Sequence, residues 1–290
     1  MMLLKLQNFF NDPMLKENLF NLTKFNFLYF KKIVFTYVAL GLSVLSSIFL
    51  PLLILLIICI TNSPGKSGIS GLANLAIVSP FYAGIFTTVF IFILISVKQK
   101  DENKNGIWRN KILTGNSRLQ ILASEYIASF IIFTLYFIIA ILANIIVFAI
   151  LIGTQAKALS DPYYQNLGMQ AFNSYCVGIS WLITILLLNS LLCDLKLKFV
   201  GFIFIAVLMI SYYAASFTTS IIQDNEGLFT FTLFSPMTAI QSCQIKFGIF
   251  NYTPLHINTD SYNYMSLTLI PWDIICAIGS IYVWSQKELK

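Results

Sequence analysis

The side chains that could do chemistry in this sequence are few and widely separated. The chain has one histidine, His256, and five cysteines, and no two cysteines form a CxxC pair. A structural zinc site needs four ligands that are usually closely spaced, and a nucleophile needs an adjacent base. Neither set can be assembled here, so we predict no metal site, no catalytic residue and no covalent chemistry.

One short segment, PGKS at 64–67, is similar to the end of a phosphate-binding loop. The full loop requires another glycine where this chain has Ile60. No buried strand precedes the segment, and the loop is predicted to lie outside the cell, where ATP is scarce. A chance match explains it better, so we expect no nucleotide-hydrolysis machinery in this chain.

Four polar residues interrupt long apolar stretches and are the remaining candidates for a functional role. Glu125 lies about one turn into the third stretch, where we expect it to pair with a loop cation or to face water. Asp273 is predicted to lie near the outer end of the sixth stretch. Asn144 and Asn189 are expected either to form interhelical hydrogen bonds or to contact a substrate. Neither acid is expected at the membrane midplane, which counts against a proton-coupled carrier.

The stretches themselves indicate a membrane protein. Only 10% of the residues are charged and 58% are hydrophobic, whereas a soluble domain has roughly 25% charged residues. A helix needs about 20 apolar residues to cross a hydrocarbon core of about 30 Å. No polar part is large enough for a separate domain, so 1–290 is predicted to form one transmembrane domain. The predicted spans are 33–60, 76–97, 120–153, 171–193, 199–222 and 266–285.

The basic residues predict the orientation of these spans. Loops that are rich in Lys and Arg stay in the cytoplasm during insertion. Most of the 18 basic residues lie in alternate connections, which predicts six transmembrane helices with both termini cytoplasmic. The net charge of +6 is explained by this sorting beside a lipid membrane, and nucleic acid is not expected as a partner. The basic segments are 1–32, 98–119, 194–198 and 285–290.

The segment before the first span has the pattern of an interfacial helix. Between residues 12 and 30, Leu15, Leu19 and Leu22 share one face, and polar side chains lie opposite. Within the first span, small residues recur every four positions, which lets a neighbouring helix approach closely. These small residues are Ala39, Ser43 and Ser47.

The longest predicted inner loop, 98–119, has its own internal pattern. Gly106 and Gly115 bracket the sequence IWRNKILT, which is predicted to form a short helix along the membrane surface. One interpretation is that its charges only hold the loop inside and contact lipid phosphates. The other is that the short helix contacts a partner protein.

The sequence NGIWRNKILTGNSRLQILASEYIASF favours the second interpretation. It resembles the inner loop between spans two and three in permease subunits of type-2 ABC exporters. The likeness is greatest to the branch in Gram-positive bacteria that includes bacteriocin-immunity and antibiotic-efflux permeases. The six-span plan and the long outer region at 223–265 agree with that family. The residues that carry the likeness are Asp101, Glu102, Gly106, Arg109, Asn110, Lys111, Gly115, Asn116, Ser117 and Arg118.

The resemblance implies that the function depends on partners. In that family two permeases pair and dock on two cytosolic ATPase subunits, which bind ATP and Mg²⁺, and the loop after span two contains the coupling helix. By this likeness Ile107, Trp108 and Ile112 would seat the helix on the ATPase. The residues that would orient it are Arg109, Lys111 and Arg118. A second, weaker contact would come from Asp194, Lys196 and Lys198.

We therefore expect a non-catalytic permease subunit of an ATP-driven exporter in a bacterial plasma membrane. Its cargo would be a peptide, a lipid or a hydrophobic drug, carried between two permease copies or between this chain and a sister permease. The chain itself would bind no cofactor. Two alternatives are open: a stand-alone secondary transporter or channel, and a membrane-embedded enzyme acting on lipid or peptide.

Overall fold

The computed structural model describes residues 13–61, 68–152, 161–192 and 269–286. Within those ranges the chain forms seven α-helices and no β-strand. The predicted span at 199–222, the outer region at 223–265 and the loop at 194–198 lie outside the described residues. The helices are α1 Pro13–Lys32, α2 Val34–Thr61, α3 Gly68–Lys104, α4 Ile107–Leu113, α5 Arg118–Ile152, α6 Asp161–Leu192 and α7 Ile270–Gln286.

Two helical segments are long and apolar enough to cross a membrane, namely Arg118–Ile150 in α5 and Ala171–Leu188 in α6. A third crossing is counted if Glu17–Lys32 and Val34–Phe49, which are bent by 75°, form one span. The apolar part of α7, Ile270–Trp284, is shorter than a full crossing. The described parts of the chain are therefore all-helical and suited to a membrane, whereas six crossings stay a prediction.

Helices α2 and α5 run side by side in the same direction. Near one end the Tyr136 hydroxyl of α5 donates a hydrogen bond to the carbonyl of Thr36. Further along, Asn144 of α5 donates to the Ser47 hydroxyl of α2 at 3.1 Å. The predicted small face of α2 is confirmed, because its three small side chains are fully buried. They are Ala39, Ser43 and Ser47.

Helix α3 runs antiparallel to α5. Lys98, near the end of α3, pairs with Glu125 near the start of α5, whereas Gly84, earlier in α3, packs beside Phe137 further along α5. Neighbouring chain segments therefore alternate in direction, as short connections between long helices require.

Helices α6 and α7 run parallel to each other. Contacts between them advance together along both helices. They join Ser180 to Asp273, Thr184 to Cys276 and Leu187 to Gly279. The end of α7 then reaches the end of the bundle that α4 occupies, where Trp284 contacts Trp108.

Aromatic side chains fill the space between α5 and α6. The ring of Phe133 is fully buried and lies 5.8 Å from the ring of Tyr175, measured between centroids. Gly178 leaves room for the Phe133 ring, since a Cβ at Gly178 would overlap it. The close packing of α5 on α6 therefore depends on a glycine at this position.

We expect Gly178→Ala to destabilise the protein by about 1–3 kcal/mol, because the added methyl group overpacks a filled interface. Thermal unfolding of the detergent-purified protein measures the effect. Gly168→Ala in the same helix is the control, because its Cβ would meet no other atom within 4 Å. A helical Gly→Ala change without a clash is neutral or stabilising, so equal behaviour of the two variants would contradict the packing argument.

Candidate functional site

The short helix α4 is delimited by its two flanking glycines. Gly106 has a φ angle of 63° and Gly115 one of 89°, both in the left-handed region that glycine adopts at little cost. At the end of the helix, the Gly115 N–H bonds to the Ile112 carbonyl at 2.9 Å. The predicted short helix between the two glycines is therefore confirmed.

The turn after α4 leads directly into α5. The Ser117 N–H donates to the Gln120 side-chain oxygen at 2.7 Å, and the Gln120 N–H donates to the Ser117 hydroxyl at 3.2 Å. This is a capping box, which satisfies backbone donors that the first turn of a helix leaves free. It sets the starting point of α5, and the Ser-x-x-Gln spacing that encodes it is readable from the sequence.

Lys111, on α4, is the centre of the site. Its side chain is buried, and its ammonium group donates to Asn26 Oδ1 at 2.9 Å, to Glu102 Oε1 at 3.0 Å and to Glu125 Oε1 at 3.1 Å. An ammonium group has three N–H donors, so each one has an acceptor. The acceptors lie on α1, α3 and α5, and this one side chain therefore joins four helices.

Lys98 completes a neutral cluster of two cations and two anions. It is fully buried and pairs with Glu125 Oε2, and its Nζ lies 3.6 Å from Glu102 Oε1. The same ammonium group stands 4.8 Å from the centre of the Phe30 ring, a distance at which the ring face attracts a cation. We call Lys98, Glu102, Lys111 and Glu125 the ionic cluster.

Asn26 links the ionic cluster to a further hydrogen-bond chain. Its amide nitrogen donates to the Ser124 hydroxyl at 2.9 Å, and that hydroxyl donates to the Ile121 carbonyl at 2.7 Å. Asn26 is fully buried on the inner face of α1. The amide therefore fixes α1 against the start of α5.

Tryptophan packing holds the other part of α4. The ring centroids of Trp108 and Trp284 are 4.6 Å apart, and the Lys111 ammonium lies 4.8 Å from the centre of the Trp108 ring. Leu22 and Ile121 are buried in the same group. The end of α7 is thereby joined to the helices that Lys111 connects.

The residues predicted for ATPase coupling therefore fall on two sides of α4. Trp108 and Lys111 are buried and face the bundle, whereas Arg109 is exposed on the opposite side. Leu113, which the sequence reading did not select, is 72% exposed. Of the others, Ile107 and Ile112 are half-buried, and Arg118 is exposed at the start of α5.

The remaining predicted residues lie away from this site or outside the described residues. Asn144 is fully buried and forms the interhelical hydrogen bond to Ser47 described above. The backbone of Asn189 lies in α6, and its side chain is outside the described part of the chain. The second predicted coupling loop, with Asp194, Lys196 and Lys198, lies entirely outside the described residues.

Sequence reasoning missed Lys98, Glu102 and Asn26 as members of the site. One signal was available, because Lys98 and Glu102 are four residues apart on one helix face. The expected pairing of Glu125 with a loop cation is confirmed by Lys111. The position of Asn26 had no comparable local signal, since its partners are distant in the sequence.

Within the ionic cluster, the pKa of the Glu102 carboxyl is shifted by its surroundings. Burial raises the pKa of the Glu102 carboxyl above its usual range, and the Glu125 carboxylate raises it further, while Lys98 and Lys111 act in the opposite direction. Glu102 Oε2 is buried and has no hydrogen-bond partner among the described residues. The four side chains of the ionic cluster join α3, α4 and α5 through ion pairs.

No protein-family model matches this chain, and no curated protein is significantly similar to it.

We expect Lys111→Met to destabilise the protein by roughly 3–5 kcal/mol, because it leaves two buried carboxylates with one cation. Adding Glu102→Gln restores a neutral pair of Lys98 and Glu125, so the double variant should regain part of the loss. Thermal unfolding of the purified variants measures both effects. The control is Lys24→Met on the exposed face of α1, which should stay within about 0.5 kcal/mol of the wild type. If the stability losses of the two substitutions simply added in the double variant, the proposed interaction between Lys111 and Glu102 would be contradicted.

The raised pKa of Glu102 predicts a pH dependence. Because the folded chain holds this proton more tightly, the resulting stability is fully present below the unfolded value of about 4.3 and is lost as pH rises through the folded value. Wild type should therefore lose stability relative to Glu102→Gln as the pH rises through this window. Thermal unfolding at a series of pH values tests this, with exposed Glu17→Gln as the control. Parallel curves for the wild type and Glu102→Gln would contradict it.

Proposed function

We propose that this chain is the permease subunit of a type-2 ABC exporter in a bacterial plasma membrane. It would move a peptide, a lipid or a hydrophobic drug using ATP that a separate cytosolic subunit hydrolyses. The proposal rests on the way in which α4 is held by the neighbouring helices. This short helix lies between two long antiparallel helices, is tied by Lys111 to three other helices, and presents Arg109 and Leu113 outward.

The directions of the helices support a six-span plan. Helices α2 and α5 point one way, and α3, α6 and α7 point the other. The direction of α6 follows from its contacts with α5, because Phe133 packs at Gly178 and Phe137 packs at Tyr175. Because α6 and α7 are parallel, a membrane chain has to return across the bilayer between them, and the predicted span at 199–222 would supply that crossing. The density of basic residues around α4 favours the cytoplasm for this end.

In the proposed mechanism, the ATPase acts on the transmembrane helices through α4. ATP binding closes the ATPase pair, and an ATPase that grips α4 would displace it. Because Lys111 bonds to Asn26, Glu102 and Glu125, a displacement of α4 acts on α1, α3 and α5 together. A helix held by flexible surface contacts would instead move alone. The ionic cluster is therefore the proposed link between the ATPase and the spans.

The two faces of α4 would have different roles in this mechanism. The exposed face is available to a protein partner. On this face Leu113 would pack against an apolar part of the partner, and the charge of Arg109 would orient the helix on it. The buried face, with Trp108 and Lys111, holds the helix to the bundle. This division replaces the family-based assignment in which both sets would contact the ATPase.

A stand-alone secondary transporter is the second candidate. The observation that favours it is the position of Asp273, whose carboxylate accepts a hydrogen bond from Ser180 near the centre of the apolar segment of α6. Acidic residues and helix ends within the apolar layer are typical of ion-coupled carriers. This candidate predicts transport without an ATPase partner.

The exporter proposal predicts different effects for the two faces of α4. Arg109→Glu should weaken ATPase retention at least tenfold and leave thermal stability unchanged, because the side chain is exposed. Trp108→Ala should lower both, because it removes the contact with Trp284. Tagged protein is purified from its own host, and the co-purifying ATP hydrolysis is measured. Lys24→Glu, a charge reversal on the exposed face of α1, is the control and should behave as wild type.

Two outcomes would overturn the exporter proposal. One is that no ATP-hydrolysing subunit is retained by the wild-type chain under conditions in which the chain stays folded. The other is that the purified chain alone, in vesicles, moves a substrate down an ion gradient. The second outcome would establish the carrier in place of the exporter.

A further inference from the structure

Asp273 lies beside the middle of the apolar segment of α6. Its Oδ2 is 2.9 Å from the Ser180 hydroxyl, and Ser180 is about 12 Å along α6 from Leu188, the inner end of the apolar segment. A second measure agrees. Asp273 is about 10 Å along α7 from Ser280, which contacts Tyr126 near the start of α5. Both measures place the carboxyl about 10–12 Å along the helix axes from the end of the bundle that α4 occupies.

The sequence could not give this position because hydropathy does not show where α7 begins. The helix begins at Ile270, and Asp273 lies in its first turn. Its apolar part is too short to cross a membrane alone. The position of Asp273 along the bundle is therefore set by the pairing of α7 with α6 and not by the length of the apolar run.

The polar groups around Asp273 are otherwise satisfied. The Trp272 indole donates to the Thr184 hydroxyl at 2.9 Å, and that hydroxyl donates to the Ser180 carbonyl at 2.8 Å. Asp273 Oδ1, in contrast, is buried without a hydrogen-bond partner in the described parts of the chain. The site therefore combines paired polar groups with one acceptor, Oδ1 of Asp273, that is unused.

No positive charge on the flanking helices balances Asp273. Helices α6 and α7 contain no Lys or Arg. Among the described side chains, the other titratable groups on these two helices are Cys276 and Tyr282 on α7 and Tyr175 and Cys176 on α6, and none of them becomes cationic. On α5, which also contacts α7, the titratable groups are Arg118, Glu125, Tyr126 and Tyr136, and the one cation, Arg118, is the first residue of that helix, at the end of the bundle that α4 occupies. An unpaired carboxylate in an apolar layer is strongly disfavoured, and such a group takes up a proton instead.

We propose that Asp273 is a proton-binding site within the apolar layer. In the α6–α7 packing seen here the carboxyl is protonated at Oδ1, and its Oδ2 accepts the hydrogen bond from the Ser180 hydroxyl. The Asp273 side chain is half-buried and only Oδ1 is enclosed, so release of the proton requires water or a cation to reach Oδ1. Protonation is thereby coupled to the packing around Oδ1. This proposal does not rest on the exporter function.

Infrared difference spectroscopy of the purified full-length chain in lipid vesicles tests the proposal. A titration from acid to alkaline pH follows the carbonyl stretch of protonated carboxyl groups. We expect a band that persists at neutral pH in the wild type and is absent in Asp273→Asn, which keeps the shape and hydrogen-bonding capacity of the side chain. Ser180→Ala should shift the band to higher frequency, because the hydrogen bond is lost. The control is Glu17→Gln at an exposed position, which should retain the band.

The opposite results would overturn the proposal. If no band at neutral pH depends on Asp273, the carboxylate is ionised in the folded protein. If, in addition, sodium or potassium chloride raises the thermal stability of the wild type but not of Asp273→Asn, the site holds a metal cation in place of a proton. A band that Ser180→Ala leaves unshifted would also contradict the proposed hydrogen bond.

Discussion

The arrangement of this end of the bundle depends on the ammonium group of Lys111. Isolated helices shorter than about 12–15 residues are marginal in water, so a helix as short as α4 has no stable position of its own. Its position comes from contacts with its neighbours. Lys111 supplies three of these contacts with one group, and its acceptors lie on three different helices. Trp108 adds the contact with α7.

The ionic cluster fixes geometry more than it adds stability. Burying charges costs desolvation energy that their attraction only partly returns, so apolar residues of the same size would often be as stable. Apolar residues would allow α4 to slide or rotate, because their contacts have no direction. Three hydrogen bonds from a tetrahedral group to acceptors on α1, α3 and α5 allow one orientation. A joint that transmits a displacement needs this property.

Much of the helical framework could be predicted, because its signals are local. The bracketing glycines delimit α4, and the repeat of small residues gave the buried face of α2. The orientation of α4 could not be predicted in the same way. Lys111 was predicted, like Arg109, to orient α4 on a partner, because the sequence of a polar loop does not show which face of the helix a basic residue occupies. The acceptor Asn26 that turns Lys111 inward is 85 residues away in the sequence.

The position of Asp273 along the bundle could not be predicted for a related reason. Asp273 also lies on the helix that connects the two sites. Hydropathy locates an apolar run but not the point at which its helix begins. Helix α7 carries Asp273 near its start and Trp284 near its end, about 16 Å apart along the axis. Trp284 contacts Trp108 on α4, and Asp273 contacts Ser180 on α6. One rigid helix therefore touches both the proposed proton site and the helix that the ionic cluster holds. A change in the packing of α7 on α6 would act directly on α4, because no flexible segment intervenes between the two contacts.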